Sequence, residues 1–386
     1  MMTPKERLIA ALSRRKPDRL PVTTHHVMPS FLKTFMNGMS NEEFFNYFGL
    51  DPINWVAASR PDDGKGDYYD PLHTPGYLEA WRVVSDRWRI FPETVADPQY
   101  ETVRYKFVTP RKTLTTTLQS NEHTSWVIER LIKEKRDIDI IAEFMTNPLC
   151  DVEEVNRQAE ATGERGLIRG FVTMFDVYGQ PGCWQDAAVL YGIEELILAT
   201  YDDPEWVHAF LGILQKRKAE FIRSTKGARY DLLELGGGDA SSTVISPKLF
   251  DTFVAPYDAP LVELAHEAGQ RIVYHTCGGM MPMLERLAGM KPDALETFTP
   301  PAMGGDMDLV AAKRRIGDQV TMIGGFDQAH FFKGCSPEDT RNAVRKCFQD
   351  AGGGGGYILS PSDHFFEADI ALLRAFSDEA RKCVYD

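Results

Sequence analysis

Short apolar runs alternate with longer helical patterns, and the alternation repeats eight times along the chain. It predicts an α/β protein, a (β/α)8 TIM barrel, with an open doubly wound sheet as the competing arrangement. Two further observations favour the barrel. The 386 residues accommodate one barrel with an insertion. Side chains suited to chemistry also gather just past the C-terminal ends of the apolar runs, where barrels of this kind carry their sites.

The first element is a helix. Thr3 caps it, Pro4 suits its first turn and Glu6 completes a capping box. Leu8, Ile9, Ala11 and Leu12 give it one apolar face. "RLPVTTHH" (19–26) reads as the first strand and ends in His25 and His26. A second capping box, Ser40 with Glu43, starts the helix "NEEFFNYFG", and "INWVAA" (53–58) reads as the second strand.

Residues 60–125 break the rhythm. "YETVRYKFV" and "TLTTTLQS" flank a turn around Pro110, so an inserted β-hairpin region with its own small sheet is expected there. Six more strands follow: "GLIRGFV" (166–172), "DLLELG" (231–236), "RIVYHT" (271–276), "DALETF" (293–298), "QVTMIGG" (319–325) and "YILS" (357–360). Helical patterns at 204–224, 247–268 and 336–350 separate them, and Ser246-Pro247 and Ser336-Pro337 each place a cap before a first-turn proline. The chain, 1–386, is read as a single barrel domain carrying this insertion. "GGGGG" (352–356) follows a helix and leads into a strand, so it reads as a helix exit; a phosphate cradle would follow a strand and open a helix. "KEKRD" (133–137) reads as a solvated helix end.

Hydrophobic residues at 43% and charged residues at 26% describe an ordinary globular protein. A formal charge of -13 without a basic patch argues against a nucleic-acid partner. Cys150, Cys183, Cys277, Cys335, Cys347 and Cys383 lack the repeated spacing of a disulfide framework. The charged N-terminus has no signal-peptide core, and no apolar stretch approaches the ~18 residues of a membrane span. A cytoplasmic protein with reduced thiols and no membrane association is expected.

At the expected barrel mouth, Glu234 ends one strand and Asp239 lies beyond three glycines. His275 and Cys277 end the next, Asp327 follows 319–325, and Asp363 and His364 follow 357–360. His275 and Cys277 are two residues apart, so on an extended strand both can reach one ion. Zinc takes tetrahedral nitrogen and sulfur ligands, and a catalytic zinc keeps three protein ligands and an open position. Asp363 is the first choice for the third ligand and His364 the second, with Glu234 also available. The competing reading is a hydrogen-bonded core histidine beside a small buried cysteine. Glu234 and Asp327 are candidate catalytic carboxylates. His25, Asp239, Tyr178 and His364 are candidate substrate contacts, against plainer roles as an exposed polar pair, a turn or a loop residue.

"TPKERLIAALSRRKPDRLPV", "SPKLFDTFVAPY", "HTCGGMMPMLERL" and "YILSPSDHFFEAD" together resemble the uroporphyrinogen decarboxylase superfamily, in its order and over nearly the whole chain. That superfamily includes the cobalamin-dependent methyltransferases, and the resemblance implies a (β/α)8 barrel with its site at the C-terminal face. Decarboxylases of the family carry Met-Arg-Gln-Ala-Gly-Arg soon after the first strand, because arginines pair the carboxylates of a porphyrinogen. Here "PVTTHHVMPSFLKTFMNGMS" stands instead, with no arginine between Arg19 and Arg60.

The methyltransferase branch is the closer likeness. Its His-x-Cys matches His275 and Cys277, and its later cysteine ligand aligns with Asp363. The resemblance thus implies a zinc site of His275, Cys277 and Asp363, in which the harder oxygen ligand makes the ion a stronger Lewis acid. It implies methyl transfer between a small methylated substrate, for example a methyl ether, and cobalamin, in either direction. A base-off cobalamin loop, Asp-x-His-x-x-Gly, is absent; "DPLHTPG" (70–76) spaces Asp70 and His73 one residue too far apart. The cobalamin is therefore expected on a separate corrinoid protein. The alternatives are a uroporphyrinogen decarboxylase-type lyase and a non-catalytic metal- or ligand-binding member.

Overall fold

The computed structural model describes residues 1–385. The principal strands, in chain order, are β1 (Ile53–Trp55), β2 (Arg89–Val95), β3 (Glu101–Val108), β4 (Thr113–Ser120), β5 (Ser125–Glu129) and β6 (Leu167–Phe171). They continue as β7 (Leu232–Gly236), β8 (Ile272–His275), β9 (Ala294–Thr297), β10 (Thr321–Phe326) and β11 (Tyr357–Pro361). A seven-stranded sheet runs β1-β6-β7-β8-β9-β10-β11, every pair parallel. Helices fill the crossovers, among them Pro204–Ser224 and Pro337–Ala351, the latter with the expected Ser336 cap.

The first of the eight expected strands, 19–26, is reduced to one parallel bridge between Val22 and Leu359. It still meets both edges of the sheet. Thr23 N–H donates to the Leu359 carbonyl and Leu359 N–H to the Pro21 carbonyl, both at 2.9 Å, while Asp51 N–H donates to the Val22 carbonyl at 2.7 Å. Pro21 has no N–H with which to extend the ladder. The seam is held instead by the fully buried Asp51 carboxylate. It accepts from Val22 N–H at 3.0 Å, Arg7 Nη1 at 2.6 Å and Arg19 Nη2 at 3.0 Å.

The barrel's inner face changes character along its axis. At the N-terminal end, Leu167, Leu232, Val273, Ala294, Ile323 and Ile358 pack on Leu8, Ala11 and Leu12 of the helix Pro4–Leu12. That helix has the expected capping box and forms a dry floor. Intervening residues such as Ile168, Leu233, Tyr274, Leu295, Met322 and Leu359 pack outward in the main core. Two residues further along four strands, on the same inward face, Leu167 gives way to Arg169, Leu232 to Glu234, Val273 to His275 and Ala294 to Glu296. The functional layer thus sits directly on the apolar one.

The region expected as a hairpin is a four-stranded antiparallel sheet, β2-β3-β4-β5, that continues to Glu129. The hairpin of β3 and β4 turns between Thr109 and Lys112, as Pro110 suggests. β2 escapes the sequence pattern because it carries Pro92, which an edge strand tolerates. "KEKRD" is not simply a solvated end. Its Asp137 is buried and accepts from Lys133 N–H and Glu134 N–H, both at 3.0 Å, and from Lys112 Nζ. The glycine run does leave a helix, with positive φ at Gly354, Gly355 and Gly356. Among the described residues all six cysteines are free, and no helix is long and apolar enough to cross a membrane.

Asp51→Ala would remove the carboxylate shared by Arg7 and Arg19, leaving Arg7 with Asp18 alone, and would unpair Val22 N–H. Urea denaturation is expected to show a loss of about 3–5 kcal/mol; a loss below about 1 kcal/mol would remove Asp51 from its place at the seam.

Candidate functional site

Arg169 is the centre of the charged layer. Its side chain is fully buried and pairs with Glu234 at 2.5 Å, while its Nη1 donates to Glu296 Oε2 at 3.0 Å. The Trp55 ring of β1 lies 4.5 Å from the guanidinium, and the indole N–H donates to the His25 carbonyl at 2.9 Å. Arg169 therefore positions two carboxylates, and Trp55 ties the first segment to them.

The carboxylates in turn orient two imidazoles. His25 Nε2 lies 3.0 Å from Glu234 and 3.3 Å from Glu296, and His275 Nδ1 lies 2.8 Å from Glu296 Oε1. From His275 the contacts continue: Nε2 to Cys277 Sγ at 3.1 Å, and Cys277 Sγ to Asp363 Oδ2 at 3.4 Å. Asp363 Oδ1 meets His364 Nδ1 at 2.8 Å, and His364 Nε2 lies 3.1 Å from His26 Nδ1. His26 Nδ1 lies 2.8 Å from His25 Nδ1, which closes the contacts into a ring.

The electrostatics follow from that ring. Burial pushes Glu234 and Glu296 up, but Arg169 and then His25 outweigh it, and both titrate below the ordinary glutamate range. Burial opposes charge on His275, yet Cys277, Glu296 and Glu234 raise it well above the ordinary histidine value. Burial raises the Cys277 thiol, with His275 pulling the other way. Burial also pushes Asp363 up, but His364 and His275 bring it below the usual carboxylate range. His26 is driven far down by burial and by the neighbouring His25 and His364, and so is neutral.

The donor set suits a zinc ion. His275 has a carboxylate behind Nδ1, which leaves Nε2 for a metal, as ligating histidines require. Ligand atoms on a tetrahedral zinc stand roughly 3.3–3.8 Å apart for bonds of about 2.0–2.3 Å. The contacts of Cys277 with His275 and with Asp363, at 3.1 and 3.4 Å, approach that spacing. A cavity of about 10 Å³, lined by His25, His275, Glu296 and Asp363, has room for one water-sized occupant. Among the described residues two groups of donor atoms lie wholly within 4.8 Å of one another, His25–Glu234–His275–Glu296 and His25–His26–His364; His275, Cys277 and Asp363 form a more open set, linked through Cys277.

Of the candidates read from sequence, His25, Glu234, His275, Cys277, Asp363 and His364 come together in the ring. Asp327 does not join it: its carboxylate caps the helix Gln328–Phe331, accepting His330 N–H at 3.0 Å. Gln328 reaches the site loop in its place, donating to the carbonyls of Asp363 at 3.0 Å and His364 at 3.3 Å. Tyr178 lines a separate cavity of about 360 Å³ that also includes Phe171, Phe175, Trp81 and Tyr105. Burial and then Asp239 raise the Tyr178 phenol, while burial raises the Asp239 carboxyl. Asp70 and His73 hold the insertion: Asp70 pairs with Arg82 at 2.6 Å, and His73 accepts Arg82 N–H at 3.0 Å. Sequence reasoning passed over Arg169 and Glu296. The available signal was a lone charge inside each apolar run, "GLIRGFV" and "DALETF".

Comparison with known proteins gives three findings. The family model described as Uroporphyrinogen decarboxylase (URO-D) matches residues 177–383, more than half of the chain. A methylated-thiol–coenzyme M methyltransferase of Methanosarcina mazei is 24% identical over 161 residues, which is 42% of this chain and 41% of that relative's length. A solved structure of a methyltransferase from Methanosarcina mazei aligns over 99% of both chains with a TM-score of 0.63 at 13% identity, a likeness of fold.

Arg169→Met leaves two buried carboxylates without their cation, and a loss of about 3–5 kcal/mol is expected in urea denaturation. The pH dependence has a definite sign. Glu234 and Glu296 are depressed in the folded state, so the stability they contribute is present above 4.5, their ordinary value, and is lost as pH falls below it. The urea midpoint of Arg169→Met is expected to change less than that of the wild type between about pH 5 and pH 3. Parallel pH profiles would contradict this electrostatic account.

Proposed function

The chain belongs to the uroporphyrinogen decarboxylase family, and from that premise we propose that it is a zinc-dependent methyltransferase. It moves a methyl group between a small methylated substrate, such as a methyl ether, and the cobalamin of a separate corrinoid protein. The observation that carries this reading is the linked set His275–Cys277–Asp363 with Glu296 behind the imidazole. The name of the sequence relative, a methylated-thiol–coenzyme M methyltransferase of Methanosarcina mazei, supports methyl transfer.

His275, Cys277 and Asp363 would hold the zinc. When bound, the ion supplies Lewis acidity to the heteroatom of the substrate, making it a better leaving group as the methyl departs. The chain's own residues do the rest. Glu296 fixes the His275 ring with Nε2 free, and Arg169 keeps Glu296 ionised and in place. Glu234 holds His25 beside the centre, and Gln328 fixes the loop that carries Asp363 and His364.

The lyase reading is weaker. Arg169, Arg82 and Arg217 are each already paired with a carboxylate of the chain, so none is free for a polycarboxylate substrate.

Anaerobic transfer to added cob(I)alamin, scanned over methyl ethers and methylated thiols, is expected to show turnover with at least one compound. Cys277→Ala and Asp363→Ala should lose it while staying folded, and Glu296→Gln should weaken zinc binding about 10–100-fold. Release of carbon dioxide from uroporphyrinogen, with no methyl transfer from any donor, would replace the proposal with the lyase.

A further inference from the structure

We propose that His25, His26 and His364 form a second cation site, separate from the His275–Cys277–Asp363 set, for a borderline divalent ion such as zinc or cobalt. His25 Nδ1 and His364 Nε2 lie 2.8 and 3.1 Å from one and the same atom, His26 Nδ1. The three ligand atoms fall within 4.8 Å of one another. Both outer rings are held from behind by carboxylates. His25 Nε2 faces Glu234 at 3.0 Å and Glu296 at 3.3 Å, and His364 Nδ1 faces Asp363 at 2.8 Å. A carboxylate on the far nitrogen is the arrangement that aims the near nitrogen of a ligating histidine at its metal.

Hydrogen bonding alone leaves this cluster unfinished. His26 Nδ1 carries either one proton or one lone pair, so it serves both neighbours only through a shared and weaker three-centre bond. An ion at the common point satisfies all three. Nitrogens bonded at about 2.0–2.1 Å to a tetrahedral ion stand roughly 3.3 Å apart, so the two contacts at His26 widen by about half an ångström or less while the outer pair, within 4.8 Å, takes up the same spacing. His25 and His26, whose Nδ1 atoms stand 2.8 Å apart, are the pair that opens most.

The donor set selects the ion. Three imidazoles suit zinc, cobalt, nickel or copper, whereas magnesium and calcium require oxygen ligands. Three protein ligands leave a position open for water or for an oxygen or nitrogen of a substrate. The His364 side chain is 28% exposed, which puts that edge of the cluster next to solvent.

Cobalt(II) titration of the metal-free protein tests the site, because only an ion on Cys277 shows thiolate-to-cobalt charge transfer in the near ultraviolet. The wild type is expected to bind two cobalt ions per chain, one with that absorption and one without. His26→Ala should bind one and keep the charge-transfer band; Cys277→Ser should bind one and lose it. His26→Phe, which keeps the ring volume and removes the nitrogens, repeats the first test should the alanine variant unfold. A wild type that binds one ion with full charge transfer, unchanged in both His26 variants, would overturn the second site and leave the first standing. One ion without charge transfer, lost in the His26 variants, would support the three-histidine site and remove the Cys277 centre.

Discussion

A guanidinium with no exposed surface sits between two glutamates inside the barrel, and the geometry of the site descends from it. Arg169 keeps Glu234 and Glu296 ionised in surroundings that would otherwise protonate them. Ionised carboxylates accept hydrogen bonds, so they set the orientation of His25 and His275. Those rings in turn present their remaining nitrogens to His26 and to Cys277. A buried ion pair of this kind adds little net stability, because desolvation consumes most of the Coulombic gain. Its value here is positional.

The barrel supplies the contrast on which this arrangement depends. A parallel strand sends alternate residues inward, so a step of two residues moves one layer along the axis. The lower layer is leucine, valine, alanine and isoleucine, sealed by the first helix. The next layer is arginine, glutamate and histidine. Water is kept out below, which strengthens every charge interaction above. Past the strand ends the loops take over, and there Cys277, Asp363 and His364 join residues that the strands have already fixed.

The fold class was legible because β7 to β11 each show an apolar run between clear turn signals, and helix starts such as Ser336-Pro337 carry their caps in the sequence. His275, Cys277 and Asp363 were legible because they lie just beyond such runs. Arg169 and Glu296 were not, since a charge inside an apolar run reads as a flaw until its partner on another strand is known. The pairing of His26 with His364 joins positions 338 residues apart and has no local signature. Asp327 misled for the opposite reason: its place after a strand suggested chemistry, while its bond to His330 N–H makes it a helix cap. The segment around Val22 looked like a strand from its residues, but Pro21 and the competing Asp51 carboxylate reduce it to one bridge.

The central claim is that a metal belongs between His275, Cys277 and Asp363. Anomalous diffraction at the zinc edge, from crystals of the zinc-loaded protein, tests it most directly. The account predicts a peak about 2.0–2.1 Å from His275 Nε2, about 2.3 Å from Cys277 Sγ and about 2.0–2.2 Å from an Asp363 oxygen. A map without a peak at that point, in crystals whose His275–Cys277 contact is intact, would contradict it.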